Sequence, residues 1–165
     1  MGRAASALGA LLVCLYSAVA VLQIQVLNPL AKMPGMSIAE IHRAVHTAGQ
    51  SMAVVPMLLA LAPGPLIALA LAALAATGRI STRTSAASIL GLLAAGSPIY
   101  GVASFGAGMS LADTFMTSGH DASPWAAPLH LVSGASVLVL AAMGTRALLR
   151  SIRSTRTPPT TTVRT

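Results

Sequence analysis

Four long apolar runs constrain this chain more than any other feature. They lie at about 5–27, 51–77, 86–107 and 127–149. Each is close to the ~20 residues an α-helix needs to cross ~30 Å of hydrocarbon. In lipid the backbone has no water to bond, so a spanning segment must satisfy its own N–H and C=O groups, and a helix does so. Only 8% of the 165 residues are charged and the mean hydropathy is +0.80, whereas soluble domains carry roughly a quarter charged residues. The expected fold class is therefore all-α: a four-helix transmembrane bundle over 1–150 with a short amphipathic helical extension after the first loop. The segment 151–165, rich in Thr and Pro, is expected to be a disordered tail.

The formal charge of +7 does not point to nucleic acid. The arginines flank apolar runs, and no aromatic-rich basic surface accompanies them. Their placement instead predicts orientation. Arg3, Arg79, Arg83, Arg146, Arg150, Arg153, Arg156 and Arg164 fall on one side of the runs, and only Lys32 and Arg43 on the other. By the positive-inside rule both termini are expected in the cytoplasm, in a plasma-membrane protein. Arg3 and the "AVA" at 18–20 also resemble the start and cleavage site of a signal peptide, but the apolar run continues past them to Leu27. The single cysteine, Cys14, lies inside the first run and reads as a buried small hydrophobe.

Every acid (Glu40, Asp113, Asp121), every histidine (His42, His46, His120, His130) and the only tryptophan, Trp125, fall on the side with few arginines. Acid–base or metal chemistry is expected there. The densest stretch is "SIAEIHRAVHTAGQ", 37–50. Ser37 and Glu40 have capping-box spacing, which predicts a helix starting at Ser37. With no strong breaker before Pro56, that helix is expected to run into the second span. His42 and His46 then stack one turn apart, with Gly49, Gln50 and Ala53 below them, and Glu40 lies about 160° away. Pro56 and Pro63-Gly64-Pro65 are expected to interrupt the second span, either as a packing bend or around a cavity. Gly91, Gly96, Gly101 and Gly106, with Pro98, mark the third as a close-packing helix.

The run "NPLAKMPGMSIAEIHRAVHTAGQSMAVVPML", 28–58, resembles the first-loop signature of small four-span bacterial and fungal proteins related to anthrone oxygenases. Pro29, Pro34, His42 with His46, and Pro56 carry the resemblance. "SPWAAPLHLVSG", 123–134, extends it through Trp125 and His130, although a charged residue beside that tryptophan is missing here. The resemblance implies oxidation or rearrangement of a polyphenolic or polyketide-like substrate without a metal or other cofactor, with a histidine as general base. Lipid bilayer and an apolar small molecule are then the expected partners.

On these grounds His42, His46, His130 and Asp113 are the expected catalytic residues, and Trp125, Met52 and Gln50 the expected substrate contacts. Each has a plainer reading. The histidine pair can simply wet a helix at the headgroup layer, and Trp125 can anchor the interface. The H-x-x-x-H spacing also suits two metal ligands, with a third required from His120, His130, Asp113 or Asp121. His120-Asp121, between Gly119 and Pro124, reads as turn chemistry. Met33, Met36, Met52, Met57, Met109 and Met116 suit an adaptable apolar pocket better than copper, since they form no compact repeat.

Overall fold

The computed structural model describes residues 2–155. Among them the chain is helical, with no strand. Four helices are long and apolar enough to cross a membrane: α1 (Ala4–Lys32), α3 (Val54–Ala76), α4 (Thr82–Phe115) and α5 (Ala126–Ile152). The short helix α2 (Ile38–Thr47) lies between the first two. This is the multi-pass membrane bundle that the apolar runs require. α4 has 34 residues, about 50 Å at ~1.5 Å per residue, so it projects beyond the hydrocarbon layer. The helix of α5 continues to Thr155, past the expected boundary at Arg150. The rest of the expected tail lies outside the described residues.

Small residues set the packing. α1 lies along α3 and along the first half of α4. Tyr16 of α1 crosses α4 at Gly96, where an added Cβ would stand 2.6 Å from the tyrosine Cζ. Only glycine leaves room for that ring. The core around it comprises Ala20, Ile24, Met57, Leu61, Tyr100, Ala103 and Leu111, joined by Ile41 and Val45 from α2. Outward-facing leucines and valines, such as Leu11, Leu59, Val102 and Leu138, remain exposed on the helix faces that lipid covers.

Three of the four spans carry a break, and α5 runs unbroken. In α1, Gln23–Leu27 forms a π-helical turn, closed by the Asn28 N–H donating to the Gln23 carbonyl. The extra residue in that turn shifts the register, so Gln23, Ile24 and Asn28 are all buried. In α3, Pro56 sits in the first turn, where a missing N–H costs nothing. It opens the span rather than interrupting it, a correction to the expectation. The bend falls at Ala62, before Pro63. In α4, the bend falls at Ala95, because Pro98 has no N–H to offer the Ala94 carbonyl. Ser133 of α5 repairs it: its hydroxyl donates to Ala94 O at 2.7 Å and accepts from the Ser97 N–H at 3.1 Å. Beyond the bend α4 changes partners. Thr82–Ala94 packs mainly on α5 and α1, and Gly96–Phe115 mainly on the first turns of α3.

The capping box forms as the sequence predicts. The Glu40 N–H donates to Ser37 Oγ at 3.3 Å, and the Ser37 N–H donates to the Glu40 carboxylate at 2.7 Å. The continuous helix into α3 does not form. α2 stops at Thr47 in a Schellman motif, with Gly49 at φ +76°, its N–H bonded to His46 O and the Gln50 N–H to Val45 O, both at 3.0 Å. A non-helical link follows and ends at Ala53, held at φ +48°. Gly49 is the glycine that supplies the left-handed turn, and it ends the helix ahead of any proline.

Candidate functional site at the histidine end

The break after α2 creates a cavity. Had the helix continued, Gln50 and Ser51 would have followed it into the span. Instead the link folds back beside the last turns of α2, enclosing a space of about 200 Å³ lined by His42, Val45, His46, Gln50, Ser51 and Met52. His42 is half-buried, and its Nε2 is fully enclosed without a hydrogen-bond partner. A buried, unpaired ring nitrogen is costly in a finished core, and in a native protein it calls for an explanation such as an ordered water or a catalytic role. His46 and Ser51 are exposed at the rim, which leaves the cavity open on one side.

The wall of this cavity is held under strain. A non-glycine residue in the left-handed region costs ~1–3 kcal/mol and persists only where its surroundings fix it. Three contacts fix Ala53. Its N–H donates to Ser51 Oγ at 3.2 Å. The Ser110 hydroxyl of α4 donates to the Ser51 carbonyl at 2.6 Å. The Gln25 amide, presented by the π-helical turn of α1, donates to the Met52 carbonyl at 3.1 Å and reaches Met57 Sδ at 3.3 Å. Glu40 takes no part. It lines a separate open groove on the other flank of α2 with Arg43, Ala44, Thr47, Ala48 and Thr114, as the helical wheel predicts. There the Ser37 hydroxyl and backbone N–H hold its carboxyl below the ordinary carboxylate value.

Of the expected site residues, His42, His46, Gln50 and Met52 therefore share one cavity. His130, Asp113 and Trp125 stand apart from it. His130 lies on α5, where its Nδ1 pairs with the Ser97 hydroxyl at 2.5 Å. Its ring meets the edge of Tyr100 at a centroid distance of 5.6 Å. Asp113 is exposed in the last turn of α4, and Trp125 is 58% exposed where α5 begins. Among the described residues no three His, Cys, Asp or Glu side chains come together as a metal site.

A second polar group was not anticipated. The Tyr100 hydroxyl, in a residue only 1% exposed, donates to Asp121 Oδ2 at 2.9 Å. Asp121, read as turn chemistry, is in fact docked into the bundle. The loop that carries it is tied to α1 twice: the Ala122 N–H donates to Asn28 Oδ1 at 2.8 Å, and the Lys32 ammonium donates to the Ser118 carbonyl. Asn28 and Asp121 line a cavity of about 270 Å³ with Ser104, Phe105 and Met109. One signal for this cluster was present in the sequence. Gln23, Gln25 and Asn28 crowd the end of an otherwise apolar run, and amides are kept in a span where they have partners or work to do. No family model, curated protein or solved structure matches this chain.

Proposed function

We propose that the protein is a membrane-embedded enzyme that binds an apolar, weakly acidic substrate at the histidine end and uses His42 as general base. The observation that carries this reading is the grouping of His42, His46, Gln50 and Met52 around one cavity, beside which the Nε2 of His42 is buried without a hydrogen-bond partner. Imidazole is the side chain whose ordinary pKa lies closest to neutrality, as a base working there requires. Met52 supplies a compliant apolar contact, and Gln50 an amide able to bond a carbonyl or phenol. The residues that line the cavity lie outside the four apolar spans, next to the start of the second.

The resemblance to anthrone oxygenases suggests the reaction. The base removes a proton from an activated CH₂ between aromatic rings, and the resulting carbanion is electron-rich enough to reduce O₂. A C–O bond forms to give a hydroperoxide, which loses water to leave a ketone. The balance is CH₂ + O₂ → C=O + H₂O, with no further reductant. In the orientation we propose, the arginine end, with Arg79, Arg83, Arg146 and Arg150, faces the cytoplasm and the cavity faces outward across the plasma membrane.

The test is oxygen uptake by detergent-purified protein with an anthrone-type phenol, with and without a chelator. Chelator-insensitive uptake that disappears in His42→Ala supports the reading. A second reading, a non-enzymatic membrane subunit or transport protein, draws on His130 and Asp113 lying away from the cavity. It gains if the wild-type protein takes up no oxygen above the buffer rate with any such phenol.

A further inference from the structure

The 270 Å³ cavity beside Asp121 has a floor, a roof and two unused bonding groups. Gly101, Ser104, Phe105 and Gly108 are spaced i, i+3, i+4 and i+7, so they share one face of α4 and form the floor. Gly108 lets the loop after α4 close over it, because an added Cβ would stand 2.9 Å from the Gly119 carbonyl oxygen. Gly101 is different: a Cβ there would meet nothing within 4 Å. Asn28, near the end of α1, and Asp121, in the loop, supply the polar wall. None of these residues borders the His42 cavity.

Each wall residue is bonded through one atom and unused at the other. Asn28 is 4% exposed, and its Oδ1 accepts from the Ala122 N–H. Its Nδ2 donates to nothing among the described residues and is not sealed off. Asp121 Oδ2 accepts from the Tyr100 hydroxyl, and among the described residues no hydrogen bond reaches Oδ1. The wall therefore offers a donor beside a carboxylate acceptor. A hydroxyl satisfies both at one atom, whereas an ammonium has no acceptor and a carboxylate no donor. The Lys32 ammonium, bonded to the Ser118 carbonyl of the same loop, is within electrostatic reach of Asp121 and would oppose a second cation. At the mouth, Phe105 and Met109 are exposed and apolar.

We infer that this cavity binds a neutral hydroxyl group on an apolar body, with Asn28 Nδ2 donating to the hydroxyl oxygen and Asp121 Oδ1 accepting its hydrogen. The apolar body lies along Phe105 and Met109. The site is distinct from the His42 cavity and independent of the activity proposed there. Two sources carry such a group: a free apolar phenol or alcohol, and the glycerol head of a phosphatidylglycerol. The second is within reach because the α1 span ends four residues beyond Asn28 and the α5 span begins five residues after Asp121, which sets the cavity at the level where the spans end.

Melting of the purified protein, followed by circular dichroism in bicelles made only of phosphatidylcholines, tests this, since those lipid heads carry no hydroxyl. The probes are β-naphthol and its methyl ether, which share an apolar body and differ in the donor. At a free concentration ten times Kd, naphthol is expected to raise the wild-type Tm by about 3–6 °C, and the ether is not. In Gly101→Leu, whose side chain fills the cavity, the naphthol shift is expected to vanish, while the variant without probe melts no lower than wild type. Asp121→Asn keeps an acceptor for Tyr100 but loses the charge, and is expected to weaken naphthol about fivefold. Phosphatidylglycerol added to the bicelles identifies the source. If it raises Tm in wild type but not in Gly101→Leu and abolishes the naphthol shift, the occupant is lipid; if the naphthol shift persists, the occupant is a free phenol or alcohol. An equal shift with both probes overturns the inference. So does a naphthol shift that survives in Gly101→Leu or disappears in His42→Ala, and so does a wild type that neither naphthol nor phosphatidylglycerol stabilises.

Discussion

Ser133 illustrates how a single hydroxyl can hold a bent helix in a bundle. It is 2% exposed, and it both donates to Ala94 O and accepts from the Ser97 N–H across the bend that Pro98 imposes. Ser133→Ala leaves the Ala94 carbonyl and the Ser97 amide unpaired inside the bundle. Each such group costs ~1–3 kcal/mol, so the variant should unfold at clearly lower temperature in detergent. Ser136 provides the control. Its hydroxyl bonds only to Val132 O, a carbonyl of its own helix, and Ser136→Ala should be close to neutral. Equal melting temperatures for the two variants would show that Ser133 does not stabilise the bend. At the same scale, Tyr100 and Asp121 depend on each other across 21 residues of sequence. Nothing local to "GHDASP" announces that pairing, because it exists only once α4 and the following loop have docked.

Among the elements, α2 is the one whose start and end have different kinds of cause. Its start is local. Ser37 and Glu40 bond each other, and those bonds lower the Glu40 carboxyl below its ordinary value of 4.5. A carboxyl whose pKa is lowered by folding contributes stability above the ordinary value, and the contribution is lost as the pH falls through the lowered one. Amide exchange across 38–47, corrected for intrinsic rates, should therefore quicken in wild type as acid is added. In Ser37→Ala it should be about fivefold faster at neutral pH, the equivalent of a ~1 kcal/mol cap. Cap-independent exchange would contradict this. The end of α2 was harder to read. Gly49 was visible in the sequence, but a glycine inside a periodic run is often tolerated, and Pro56 looked like the stronger stop. The π-helical turn at Gln23–Leu27 had no local signature at all. It follows from packing, which brings Gln25 to the Met52 carbonyl and Asn28 to the Ala122 amide. The capping box and the four spans were legible because each rests on spacing within one segment. The histidine cavity was legible in its members His42, His46, Gln50 and Met52, but not in its shape, which depends on a break that the periodicity does not record.

For the whole molecule the governing asymmetry is between two ends. Arg79, Arg83, Arg146 and Arg150 gather at one, while the histidines, the acids and both polar cavities gather at the other. If the arginine end is cytoplasmic, a cysteine at Ser37 should react with an impermeant reagent in intact cells and one at Ser81 only after lysis, in a Cys14→Ser background. The reverse pattern would invert the molecule and place the cavities inside. Chemistry at the histidine end is then a question of one proton. His42 acting as base should catalyse hydrogen–deuterium exchange at the CH₂ of an anthrone-type substrate in D₂O with oxygen excluded, because proton removal precedes any reaction with O₂. Mass spectrometry of the recovered substrate measures this directly. The expected result is exchange well above the buffer rate with wild-type protein, falling to the buffer rate in His42→Ala; exchange at the buffer rate in wild type, or undiminished exchange in His42→Ala, would contradict the assignment of His42 as the base.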